Sequence, residues 1–125
     1  MPDGLTLTAK DSTSNLNNGS ITSAAAVNGM IDGAASFNGS SSLINVGTSA
    51  SVNPPALTYS AWVNANSLAN AYTSVISKSE ASSRLATLLI KSNGKLACYL
   101  GASGNLNYDG TGSQTLSLNQ WYYLT

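Results

Sequence analysis

The chain has 125 residues, the length of one small domain, and its five basic residues balance its five acidic ones, so that only 8% of positions are charged, about a third of the usual globular share. A neutral chain without a basic run lacks the phosphate attraction that drives nucleic-acid binding and has no pull toward anionic membranes. No stretch approaches the roughly 18–20 apolar residues of a spanning helix, and with no histidine and one cysteine, Cys98, neither an internal disulfide nor a Cys/His zinc site can be built. Hydrophobic residues still make up 42% of the chain, enough for a β-type core.

In chain order, MPDGLTLTAKD lacks the charged-then-apolar pattern of a secretory signal and carries a first short strand, Leu5 to Ala9. STSNLNNGS is rich in Asn and Gly, which favours Asx turns and left-handed backbone. Ser20 to Thr22 reads as a short strand. In DGAASFNGSSSLINV, Ala34 and Ala35 are small enough for a strand to pass close to its neighbours. Phe37 is expected to anchor the core, Asn38-Gly39-Ser40 turns the chain, and Leu43 to Val46 returns along the sheet. LTYSAWV alternates: Leu57, Tyr59, Ala61 and Val63 point one way, Thr58, Ser60 and Trp62 the other. This predicts a central strand, with Trp62, like Trp121 later, in the core. SLANAYTSVISK reads as loop and then strand, Ser74 to Ser77. In LATLLIKSNGKLACYLG, Asn93-Gly94 predicts a two-residue type I′ turn joining a hairpin of 85–91 with 95–100. Cys98 is a small core residue of that hairpin and Tyr99 a strand core residue. GASGNLNYDGTGSQ reads as a second long polar loop, and Gln120 to Thr125 as a last strand. Many short strands with regular turn punctuation indicate an antiparallel sandwich or barrel, here a single domain over 1–125.

The order of segments carries more than any one of them. DSTSNLNNGSI, MIDGAASFNGSSSLINV, LTYSAWVNA, SVISKS, LLIKSNGKLACYL and LSLNQWYYLT together resemble the laminin-G-like, concanavalin A-like lectin/glucanase family. The resemblance implies an all-β fold, an antiparallel β-sandwich of the concanavalin A-like jelly-roll type. Two features depart from the family's pattern. The aromatic-rich strand ahead of the Asp-Ser loop is absent, and the chain stops inside WYYLT. Terminal strands are therefore expected to be missing, with the chain continuing past Thr125 or a neighbouring chain supplying them, because an end inside an apolar strand leaves an unpaired edge.

The glucanase branch needs two carboxylates facing one sugar. Asp3, Asp11, Asp32, Glu80 and Asp109 are scattered, without a Glu-X-Asp pair, and no His-based pair can activate a nucleophile. No catalytic residue is assigned and the chain reads as a non-enzyme. The resemblance implies calcium, whose candidate ligands are Asp11, Asn15 and Asn17 in the first Asx-rich loop with Asp109 in the last. On the alternative reading Asp11 caps its own turn and the Asn residues take left-handed backbone. Sugar binding needs an exposed aromatic ring with amides or hydroxyls beside it. Tyr108, Asn105, Asn107 and Tyr72 are the candidates on loops, with Tyr108 beside Asp109 foremost. Asn18 and Asn38 open formal N-G-S glycosylation acceptors, more simply read as turns.

The function expected is a non-catalytic recognition or adhesion module that binds a glycan or a protein on a surface, in an extracellular setting. The second reading is a decoration, cement or fibre protein of a virus particle that binds capsid or fibre subunits or copies of itself. The absent secretory signal, Met1, the single Cys98 and the low charge favour this second reading. A fragment of a glycan-cleaving enzyme is the third.

Overall fold

The computed structural model describes residues 6–54, 56–80, 83–102 and 105–125, with 79–80, 83–85, 102 and 105–110 as backbone only. Among them are antiparallel strands, one 3-10 turn and no α-helix; none is a helix long and apolar enough to cross a membrane. The chain divides into two compact units, Met1–Leu57 and Thr58–Thr125.

In the first unit, β1 (Ser20–Thr22) pairs with β4 (Leu43–Asn45), with Ile21 opposite Ile44. β2 (Ala25–Asn28) pairs with β3 (Gly33–Ser36), so that the small Ala34 and Ala35 face Val27 and Ala26. The corner between β3 and β4 is held by one side chain. Asn38 Oδ1 accepts the backbone N–H groups of Ser40, Ser41 and Ser42 at 3.0, 2.9 and 3.0 Å, while Gly39 supplies the left-handed φ of +74°. The turn expected at Asn38-Gly39-Ser40 is therefore present. Phe37 is not a core anchor: it is 52% exposed, because β3 ends at Ser36 and the alternation no longer dictates which face Phe37 takes. Of the strand expected over 5–9, Leu5 lies outside the described residues and 6–9 form no strand; instead Ala9 offers its carbonyl to Gly19 N–H at 2.7 Å.

The second unit is built on a four-stranded antiparallel sheet in the order β6 (Tyr72–Glu80), β7 (Ser83–Lys91), β8 (Lys95–Ala102), β9 (Asn105–Thr115). A two-stranded ribbon, β5 (Ala61–Asn64) with β10 (Trp121–Leu124), packs on one face of it. Leu88, Ile90, Leu116 and Leu124 form the buried cluster between these layers, closed by Tyr59, Val63, Val75, Ile76 and Tyr122. A register shift between Ser74 and Ile76 brings the consecutive Val75 and Ile76 onto this one cluster. Leu89, Ala97 and Tyr99 form a second cluster, on the opposite face of β7 and β8 because side chains alternate along a strand. With both faces covered, the run Ala86 to Ile90 is buried without a break, and each Leu or Ile in it contributes roughly 1.5–3 kcal/mol of burial.

The expected hairpin of β7 with β8 is present, but its turn differs. Gly94 N–H donates to the Lys91 carbonyl at 2.9 Å, and Gly94 alone has positive φ, +77°, while Asn93 does not. The connection is a three-residue loop closed by a left-handed glycine, the next commonest solution after the type I′ turn. Asn93 serves it through its side chain, whose Oδ1 accepts Lys95 N–H at 3.1 Å.

Three further expectations are corrected. The second polar loop is strand over Asn105–Thr115, paired to β8 from Lys95↔Thr115 to Ala102↔Asn105 with two register shifts; polar and glycine-rich segments pair well enough when a long neighbour supplies the ladder. LTYSAWV is strand only from Ala61, and among the described residues it pairs with β10 alone, so it is not central. Trp62 is not in the core, being 42% exposed, whereas Trp121 and Cys98 are half-buried.

Candidate functional site

The first candidate place is the Asx-rich loop of the first unit. Asp11 Oδ1 accepts Thr13 N–H at 2.8 Å, and Oδ2 accepts both the Thr13 hydroxyl at 2.9 Å and Asn17 N–H at 2.8 Å. The backbone N–H groups of Thr13 and Asn17 hold the carboxyl below the usual carboxylate range. Asn18 Oδ1 returns a bond to Asp11 N–H at 2.9 Å, and Asn17 Nδ2 reaches Ser51 Oγ at 2.8 Å. The left-handed residue here is Leu16, with φ of 53°, not one of the asparagines; the Asp11 brace on either side holds it there at a cost of about 1–2 kcal/mol. Asp11, Asn15, Asn17 and Ser51 line an open groove of about 380 Å³ with Val46 and Val52.

The structure thus brings three of the four calcium candidates to one groove, while the side chain of the fourth, Asp109 in β9, lies outside the described residues. Calcium takes six to eight oxygens, and both oxygens of Asp11 already accept protein donors. Among the described residues no three of Asp, Glu and Cys gather where they could hold an ion. What these bonds make of Asp11, Thr13 and Asn17 is a brace for the loop.

The second place is the sugar-binding set expected on loops. Tyr72 opens β6 and is 49% exposed, with its ring edge-on to Tyr99 at 5.9 Å between centroids. Asn105, Asn107 and Tyr108 belong to β9, Tyr108 opposite Leu100 and Asn105 opposite Ala102; their side chains lie outside the described residues. β6 and β9 are the two ends of the sheet order, three inter-strand spacings or about 14 Å apart. The structure does not bring Tyr72 together with the other three.

The third place was not foreseen. Trp62 on β5 stands directly opposite Tyr123 on β10, their centroids 5.5 Å apart and their planes at 52°. Both rings are open to solvent, 42% and 58% exposed. The inner residues of the same strands explain why. Val63, Tyr122 and Leu124 face the core, so alternation turns Trp62 and Tyr123 outward. The approach of β10 is fixed by the turn before it, where Ser117 N–H donates to the Tyr122 hydroxyl and that hydroxyl donates to Gln120 Oε1, each at 3.0 Å. Asn119 N–H also bonds the Ala65 carbonyl at 2.9 Å. Asn64, on the same face as Trp62, keeps its Oδ1 shielded from water with no hydrogen-bond partner. The signal for this pair lies in LTYSAWV itself, where Trp62 shares its parity with the polar Thr58 and Ser60 and not with Tyr59, Ala61 and Val63.

A family profile described as the concanavalin A-like lectin/glucanase superfamily, of laminin G type, matches residues 38–125. The chain belongs to this superfamily. The match takes in the Asn38 corner, both tryptophan strands and the β7–β8 hairpin, and leaves the Asp11 loop outside. No curated protein and no solved structure matches the chain. Superfamily membership accords with the all-β antiparallel sandwich, and it covers both sugar-binding lectins and sugar-cleaving glucanases.

Proposed function

We propose that the chain is a non-catalytic recognition module of the concanavalin A-like superfamily that binds a glycan across Trp62 and Tyr123, on the surface of a cell, matrix or virus particle. The observation that carries this reading is the exposed aromatic pair. Two large rings held side by side in water by the strands beneath them forgo the burial that such side chains usually gain. A sugar ring recovers it, since its C–H face stacks on an aromatic plane while its hydroxyls remain free for hydrogen bonds. The planes at 52° make a shallow V suited to one ring or to the junction of two. Of the carboxyls, Asp11, held low by N–H donors, is unsuited to the proton-donating role of a glycan-cleaving pair.

A glycan array probed with the parent chain and with Trp62→Ala tests the reading. Glycans bound by the parent should be lost by the variant. A Tyr108→Ala chain separates this placement from the set Tyr108, Asn105, Asn107 and Tyr72: under the present reading it binds like the parent. Undiminished binding by Trp62→Ala would remove the aromatic pair from the account.

A further inference from the structure

Four asparagines precede a glycine: Asn18-Gly19, Asn28-Gly29, Asn38-Gly39 and Asn93-Gly94. Such a pair is chemically labile, because without a Cβ on the glycine its backbone nitrogen can reach the asparagine carboxamide carbon. In three of the four the nucleophile is engaged. Gly19 N–H donates to the Ala9 carbonyl at 2.7 Å, Gly29 N–H to Asp32 at 2.6 Å, and Gly94 N–H to Lys91 at 2.9 Å. Those glycines are also hemmed in: a Cβ would lie 2.6 Å from Ile44 at Gly19, 2.8 Å from the Gly33 carbonyl at Gly29, and 2.7 Å from the Leu116 carbonyl at Gly94. Gly39 is different on both counts. Its N–H has no acceptor among the described residues, and a Cβ placed on it would meet nothing within 4 Å.

The electrophile at Asn38 is also prepared. Its Oδ1 receives three backbone N–H groups, from Ser40, Ser41 and Ser42, and the Ser40 hydroxyl at 3.2 Å. When the carboxamide carbon becomes tetrahedral, negative charge develops on that oxygen, and donors already aimed at it stabilise the charge without rearranging. Nδ2, the nitrogen that must leave, donates to Ser41 Oγ at 3.0 Å, so a hydroxyl stands beside it to return a proton.

We infer that Asn38 is a self-modification site, which cyclises onto Gly39 in the folded protein while the other three pairs are protected. The Gly39 nitrogen forms a bond to Asn38 Cγ and gives up its proton; the Cγ–Nδ2 bond breaks and ammonia leaves, giving a succinimide. Water then opens the imide at either carbonyl to yield aspartate or isoaspartate, so that the balance is one water consumed and one ammonia released. The aspartate product keeps the three N–H donors, now as charge-assisted bonds, and gives the neutral chain one negative charge.

The folded chain, held in mildly alkaline buffer at body temperature, is sampled over time by mass spectrometry with fragmentation that separates the four asparagines, alongside the chain in urea. Asn38 should convert at least about tenfold faster than each of the others in the folded chain, a rate ratio worth about 1.4 kcal/mol of barrier. In urea the advantage should vanish. Conversion of Asn18, Asn28 or Asn93 as fast as Asn38 in the folded chain would overturn the inference, and so would an Asn38 advantage that persists in urea.

Discussion

Leu116 N–H donates to the Gly94 carbonyl at 2.9 Å, and a Cβ on Gly94 would stand 2.7 Å from the Leu116 carbonyl oxygen. The tip of the β7–β8 hairpin is thus clasped to the residue that follows β9, and Leu116 itself is part of the main buried cluster. Gly94→Ala is expected to cost about 2–4 kcal/mol, adding the strain of a side chain at φ +77° to the displacement of Leu116. Urea denaturation measures this directly. A loss below about 0.5 kcal/mol, typical of an ordinary surface site, would mean that the clasp is not there.

Leu89 and Phe37 make a second, paired prediction. Leu89 is 0% exposed in the sheet between two strands, whereas Phe37 is 52% exposed. Leu89→Ala should lower stability by roughly 2–5 kcal/mol and Phe37→Ala by no more than about 0.5 kcal/mol. The reverse order, measured by the same denaturation curves, would restore Phe37 as a core anchor.

The Asp11 brace predicts a pH dependence. Its folded-state pKa is depressed, chiefly by the N–H groups of Thr13 and Asn17, so the unfolded chain takes up the proton first as pH falls. The brace therefore contributes fully above the unfolded carboxylate value of about 4 and is lost as pH drops through the lower folded value. Compared with the parent, Asp11→Ala should be less stable at neutral pH, with the difference shrinking below about pH 4. A difference that stays constant to strong acid would mean that hydrogen bonds to the ionised carboxylate are not what Asp11 supplies.

Calcium should leave the thermal midpoint unchanged, because the loop is already braced by the bonds to Asp11 and one carboxylate falls short of the six to eight oxygens that calcium takes. A rise of several degrees on adding calcium, reversed by a chelator, would show instead that the loop rearranges into an ion site.

Where one local rule decides an element, the residues alone disclose it. The β7–β8 hairpin follows from two apolar runs around Asn93-Gly94, the Asn38 corner from Asn-Gly-Ser, and the alternation of Tyr59, Ala61 and Val63 from period two. What fails to show is set by partners. β9 is polar and glycine-rich and reads as loop until β8 is beside it. Trp62 reads as core because it sits within an alternating strand, although its parity with Thr58 and Ser60 marks the outward face; its pairing with Tyr123, a residue 61 positions away on β10, is what local pattern does not disclose. The Asp11 loop is legible as a turn, but that both oxygens of its carboxylate accept donors from Thr13 and Asn17 depends on a closure that composition does not specify.

The most direct test of the central claim uses a Trp121→Phe chain, in which Trp62 is the sole indole, and follows its emission while a neutral oligosaccharide selected on the array is titrated in. The account predicts a saturable change in Trp62 emission, with affinity weakened about tenfold or more when Tyr123 is replaced by alanine. Calorimetric binding of the same sugar with Trp62 emission unmoved would contradict it.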